Sequence, residues 1–183
     1  EKAAQSVSAK LVAHNIYDEP LAMIHPAAAF ETKQWPAENF ARVIDEVAVR
    51  GLRPVVIVAP KEKQILDSVV QGSSARVIGF DDLSLPEVTA LAARSQLFVG
   101  NDSGIAHMAA AVNTPCVVVF GSSNVAHWRP WTTNRHEVVR EEMKCQPCHG
   151  YFCAEFERPE CILRIPVERV VAAIDRLMRE TNP

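Results

Sequence analysis

The chain has 183 residues, 48% hydrophobic and 22% charged, with a formal net charge of −3, the make-up of a globular domain large enough for one good core. That balance excludes the basic footprint of a nucleic-acid binder. No apolar run approaches the roughly 20 residues that cross a bilayer.

The opening stretch "EKAAQSVSAKLVAHN" carries no signal-peptide pattern and no initiating Met. It reads as a charged amphipathic helix, and the chain is expected to be a fragment of something longer. Leu21 to His25 ("LAMIH") predicts a first strand, followed by the loop "PAAAFETKQW". Pro36 stands where the first turn of a helix tolerates it, and "AENFARVIDEVAVR" repeats apolar residues at Phe40, Val43, Ile44 and Val47. Gly51 is expected to close that helix in a left-handed conformation. "PVVIVA" predicts the second strand, Lys61 to Val70 the second of these helices, and "ARVIGF" a short third strand. "SLPEVTALAARS" predicts a helix opened by Ser84, with Pro86 near its start.

Leu97 to Val99 then predict a buried strand, and Ile105 to Val112 an Ala-rich helix, with the polar loop Gly-Asn-Asp-Ser-Gly between them. Pro115 leads into the fully apolar strand "CVVVF". A weak strand at Glu137 to Arg140 and a helix from about Pro166 to Arg179 close the chain. Strands this apolar, each followed by a helix, imply a parallel sheet covered on both faces. The predicted fold is a doubly wound α/β domain spanning residues 1–183, with no internal repeat. Ligands of such sheets sit at the carboxyl ends of the strands.

Nearly all the unusual residues fall in those carboxyl-end loops. Lys33 follows the first strand, where a lysine can neutralise a phosphate or can simply be a solvated surface charge. Glu62 follows the second, at a place that suits either the helix dipole or ribose hydroxyls. Backbone groups around Leu83 follow the third and can meet a base edge. Asn101, Asp102, Ser103, Gly104 and His107 follow the fourth. There, unpaired N–H groups at a helix N-terminus offer an anion site; the plainer reading is that Ser103 only caps the helix. Gly121, Ser122, Ser123, Asn124 and "HWRPW" follow the fifth. No P-loop, dinucleotide-binding glycine fingerprint or Gly-x-Ser-x-Gly elbow is present. Ser103 with His107 one turn later does not meet the geometry of a hydrolase.

Cys116, inside an apolar run, reads as a core thiol. Cys145, Cys148, Cys153 and Cys161 crowd into "CQPCHGYFCAEFERPEC" (145–161). Three readings stay open for them: a metal site, a disulfide staple, or four reduced thiols under an irregular loop.

Taken together, "HPAAAFETKQWP", "LFVGNDSGIAHMAAAVNTPCVVVFGSSN" and "HWRPW" resemble glycosyltransferase family 9, the ADP-heptose:lipopolysaccharide heptosyltransferases. The most specific piece is Asp102-Ser103-Gly104-x-x-His107 in its strand–loop–helix setting, reinforced by Lys33-x-Trp35-Pro36. The Cys-rich segment is similar to that of the heptosyltransferase II subgroup. The resemblance implies the C-terminal, Rossmann-like half of a GT-B enzyme, which binds a nucleotide-diphospho-sugar, with ADP-heptose the expected donor.

On that resemblance Lys33 contacts the donor phosphates and Glu62 the ribose, while the Leu83 backbone meets the adenine. Asp102 holds sugar hydroxyls, Ser103 and the Gly104 N–H bind phosphate, and His107 supports the loop from behind. No cofactor is required. The catalytic base and the lipid-linked glycan acceptor belong to an N-terminal domain missing from this chain, so the chain alone is expected to be inactive. The resemblance further implies a bacterial cytoplasmic enzyme at the inner face of the inner membrane, peripherally associated with it. Many family members carry Gly directly after the His-Pro of the first loop. Here Ala27 stands instead, and its β-carbon is expected to crowd a phosphate or forbid a positive φ. A degenerate binding or assembly module and a nucleotide-sugar epimerase or hydrolase are the rival readings. Trp128 and Trp131 are expected to pack with their loop against the sheet, the alternative being a face for a partner.

Overall fold

The computed structural model describes residues 1–148 and 151–179; His149 and Gly150 of the Cys-rich loop and residues 180–183 lie outside them. Six strands form one all-parallel sheet: β1 (Leu21–His25), β2 (Arg53–Ile57), β3 (Ile78–Phe80), β4 (Leu97–Asn101), β5 (Cys116–Phe120) and β6 (His136–Arg140). Their order is β3-β2-β1-β4-β5-β6. The direction of travel reverses between β1 and β4, which opens a crevice at their carboxyl ends.

The helices are α1 (Lys2–Ala13), α2 (Ala37–Val49), α3 (Lys63–Gly72), α4 (Leu85–Arg94), α5 (Gly104–Ala111), α6 (Val125–Trp128), α7 (Glu160–Leu163) and α8 (Val167–Arg179). Side chains alternate between the two faces of each strand. Ala22, Ile24, Val56, Val99, Val117 and Val119 pack with Phe40, Ile44, Val69 and Ile174 of α2, α3 and α8. Leu21, Met23, Val55, Phe98 and Val118 pack with Val7, Leu11, Leu91 and Ala109 of α1, α4 and α5. Both faces are covered, so the strands read as unbroken apolar runs rather than alternating ones. Gly51 closes α2 with φ +82°, as its position predicts. Ser84 opens α4 by bonding Glu87, both its N–H and its hydroxyl donating to Oε2, at 2.8 and 2.6 Å.

Several boundaries differ from the sequence expectations. β2 stops at Ile57, and Pro60–Glu62 form a 3-10 turn, so α3 starts at Lys63 rather than Lys61. β3 begins at Ile78, not Ala75. The loop after β1 holds a 3-10 turn at Glu31–Lys33. Trp128 and Trp131 are not packed against the sheet: they are 56% and 99% exposed.

Ala27 also corrects its expectation. It is fully buried within the apolar cluster on the α2 side of the sheet, so its methyl points into the core and away from the crevice. Among the described non-glycine residues only Asn15 and Asn113 have positive φ. The alanine therefore neither crowds a ligand nor strains the backbone.

Candidate functional site: the crevice between β1 and β4

The loop leaving β1 is braced before it reaches Lys33. Asn101, the last residue of β4 and fully buried, donates from Nδ2 to Pro26 O at 2.8 Å. Its Oδ1 accepts the Trp35 backbone N–H at 3.2 Å. One amide thus ties both ends of the loop to the sheet. Gln34 adds a second brace, donating to Pro26 O at 2.5 Å and accepting from Ala28 N at 2.8 Å. Trp35 is fully buried edge-on to Phe40, and its indole N–H donates to Ile165 O at 3.0 Å. Each of these buried polar groups is satisfied, so the segment is held in one conformation.

Lys33 emerges two residues before that anchor. Its Nζ lies 2.8 Å from Asp102 Oδ2, with side chains 19% and 4% exposed. The same oxygen accepts the Ser123 hydroxyl at 2.5 Å. The ammonium also sits 5.4 Å from the centroid of the Phe30 ring. Two predicted ligand contacts, the lysine and the aspartate, therefore engage each other.

The turn after β5 locks onto the same loop. Ser122 N donates to Thr32 O at 3.1 Å and its hydroxyl to Thr32 Oγ1 at 2.9 Å. This close approach requires Gly121, because a Cβ there would run into the Thr32 carbonyl oxygen. Gln146 Nε2 donates to Gly121 O at 2.7 Å, and Cys148 N donates to Ser122 O at 2.9 Å. The Cys-rich loop thereby buttresses the far side of the turn. Around Lys33 these segments enclose a cleft of about 380 Å³, walled by Phe30, Ser122, Asn124, Trp128 and Cys148. That is the size of an ordinary small-molecule site. A larger hollow, about 540 Å³, continues around Asn124 toward Arg140 and Lys144.

Ser103 occupies the residue before α5 with extended backbone, φ −154° and ψ 166°, but its side chain makes no capping hydrogen bond. The plainer reading of this serine is therefore corrected. Its hydroxyl turns instead to His25 Nδ1, at 3.2 Å. His25 is 7% exposed, and burial pulls its pKa down from 6.5 to about 4, so the ring is neutral at physiological pH. Gly104 is exposed, and a Cβ added to it would meet nothing within 4 Å. The start of α5 thus faces open space at Gly104, while Ala106 is buried and its N–H donates to Ser103 O at 3.1 Å.

Lys33, Asp102, Ser103 and Gly104 come together at this point. Glu62 and Leu83 do not touch them. They follow β2 and β3, one and two strands beyond β1 in the sheet. Glu62 Oε2 accepts the Ala59 N–H at 3.0 Å, its dipole-facing reading. Leu83 packs partly buried against the core. His107 is half-buried one turn into α5, and among the described residues no hydrogen bond ties its ring to the loop. Sequence reasoning passed over Asn101 as a brace, and Thr32, Gly121 and His25 as partners.

The five cysteines are free thiols. Cys161 is pushed up to about 11, by burial first and then by Cys148, Cys145 and Cys153, which places the four in one neighbourhood. Among the described residues no three His, Cys, Asp or Glu side chains are arranged to hold a metal ion.

A family model described as glycosyltransferase family 9 (heptosyltransferase) matches residues 1–157. Lipopolysaccharide heptosyltransferase 3 of Escherichia coli K12 is 32% identical over 166 residues, covering 88% of this chain and 47% of that protein. Two solved structures share the fold. The E. coli ADP-heptose lipopolysaccharide heptosyltransferase II aligns with a TM-score of 0.81 at 18% identity, over all of this chain and 53% of that one. A family 9 glycosyl transferase from Veillonella parvula aligns with a TM-score of 0.85 at 22% identity, over 99% and 52%. The chain spans about half the length of the curated relatives it matches.

Proposed function

The chain belongs to glycosyltransferase family 9, the heptosyltransferases, and on that premise we propose that it is the donor-binding half of such an enzyme. It would hold a nucleotide-diphospho-sugar, with ADP-heptose the first choice, for inverting transfer to a lipopolysaccharide core. The observation that carries this reading is the exposed start of α5 at Gly104, next in the chain to the Asp102–Ser103 loop that Lys33 engages at the switch point of the sheet.

A helix N-terminus carries about half a positive charge, and its free N–H groups bind oxyanions. When the sugar leaves its diphosphate, negative charge grows on the phosphate oxygens. Amides already pointing there, with an ammonium alongside, stabilise that charge without reorganising. The other assignments follow the sheet edge outward. With phosphates at β1 and β4, the ribose falls near Glu62 and the base near Leu83, in the order a nucleotide is built. Asp102 would pass from Lys33 to the sugar hydroxyls when the diphosphate takes the lysine. No metal is needed in this scheme. The base that deprotonates the acceptor we assign to the half of the relatives that this chain does not span.

We place the reaction on the cytoplasmic side of the bacterial inner membrane, where an activated donor meets a lipid-linked glycan. Among the described residues no helix is long and apolar enough to cross a membrane. Supporting the enzyme over a degenerate module is the inward-pointing methyl of Ala27, which leaves the crevice unobstructed. The test is thermal: millimolar ADP is expected to raise the Tm of the chain, and Lys33→Ala to remove most of that rise. A folded chain whose Tm ADP does not move would refute the reading.

A further inference from the structure

The serine before α5 has the backbone of a capping residue and does not cap. Ser at that place ordinarily accepts the N–H of the second or third helical residue. Here the hydroxyl is drawn off by His25, whose ring it meets at 3.2 Å. The strand order places the two residues together. Odd-numbered residues of β1 face the side of the sheet covered by α1, α4 and α5, where Leu21 and Met23 share one apolar cluster with Ala106 and Ala109. His25 is the next odd residue and the last of the strand, so its ring arrives at the level of the loop after β4. Gly100, its partner across the ladder, closes the gap: a Cβ at Gly100 would press to 2.9 Å of the His25 carbonyl oxygen. The ring itself is buried.

We propose that His25 is a positioning residue for the donor site: by holding the Ser103 hydroxyl away from the helix, it keeps the Ile105 amide, beside that of Gly104, vacant for the diphosphate, the Ala106 N–H being already bonded to Ser103 O at 3.1 Å. This rests on the donor-binding reading above and deepens it. Among the described residues His25 is the hydrogen-bond partner of the Ser103 hydroxyl, so without it the hydroxyl would rotate onto the Ile105 N–H that the ligand needs. The helix would gain its cap and the site would lose a donor. Forgoing a local stabilising bond at a ligand site is the kind of conflict that function explains.

The test is a double-mutant cycle read in two ways. His25→Leu is expected to weaken ADP binding about tenfold while Ser103 is present, and to weaken it no further in a Ser103→Ala background, where no hydroxyl is left to cap. His25→Asn, whose amide can occupy the place of Nδ1, is expected to restore most of the affinity. The second readout needs no ligand. Amide hydrogen exchange at Ile105 is expected to slow several-fold in His25→Leu and to stay at the native rate in His25→Leu/Ser103→Ala.

Equal losses of ADP affinity in both backgrounds, or unchanged exchange in folded His25→Leu, would overturn the proposal. If native protein failed to bind ADP, the donor-binding reading would fall. The exchange measurement would still decide whether His25 holds the serine off the helix.

Discussion

Lys33 and Asp102, one from the loop after β1 and the other from the loop after β4, form an ion pair of 2.8 Å across the switch point of the sheet. The aspartate is nearly buried, and the lysine supplies its counter-charge while Ser123 supplies a hydrogen bond. Removing one partner of a buried pair leaves an uncompensated charge, which destabilises more than the pair stabilises. With Lys33 partly exposed, the effect is reduced by solvent. Lys33→Ala is expected to destabilise the chain by about 1–3 kcal/mol, and Lys33→Ala/Asp102→Asn to recover most of that. Urea unfolding of the two variants checks it. Equal stability of the native protein and Lys33→Ala would show the pair to be energetically idle.

Gly121 sets the spacing between the turn after β5 and the loop that carries Lys33. A methyl there meets the Thr32 carbonyl oxygen, and neither backbone can retreat without breaking the two Ser122–Thr32 hydrogen bonds. Gly121→Ala is expected to lower stability by about 2–3 kcal/mol, and Tm by roughly 4–12 °C. Because the turn also positions Ser123 on Asp102, ADP affinity should fall with it. A Tm within 1–2 °C of native, about the error of such a scan, would refute the spacing argument.

His25 gives the fold an acid-sensitive limb. Its pKa falls from 6.5 when unfolded to about 4 in the native state, through burial. Between those values the unfolded chain binds a proton that the folded chain refuses, so stability rises with pH across this window. Stability is complete above about pH 6.5 and is lost progressively as pH falls toward 4, by about 3 kcal/mol from this group. His25→Asn, which cannot titrate, is expected to flatten that limb. Unfolding free energies at pH 7, 5.5 and 4.5 read it directly. A slope unchanged in the variant would assign the acid sensitivity elsewhere.

Much of this architecture was legible in the residues. Five apolar runs separated by helical periodicities demanded a covered parallel sheet, and "LFVGNDSGIAHM" announced a strand, a polar loop and a helix in the right order. What the pattern could not supply was partnership. Nothing in the spacing says that Lys33 faces Asp102 rather than solvent, since the two are brought together by a strand order that local sequence does not encode. Ser103 shows the same limit from the other side. Propensity favours a capping role, and only the arrival of His25 on the adjacent strand overrides it. Ala27 reads as an obstruction when aligned by motif, and as core once the pleat direction is known. The second strand was read to Ala59 and the helix from Lys61; the 3-10 turn that Pro60 opens delays α3 to Lys63.

The central claim is that a donor diphosphate lies on the first turn of α5 and takes Lys33 from Asp102. A crystal of the chain grown with ADP tests it most directly. The account predicts phosphate oxygens within hydrogen-bond distance of the Gly104 or Ile105 N–H and of Lys33 Nζ, with the Lys33–Asp102 pair opened. ADP bound at another edge of the sheet, or seated there with Lys33 still on Asp102, would contradict it.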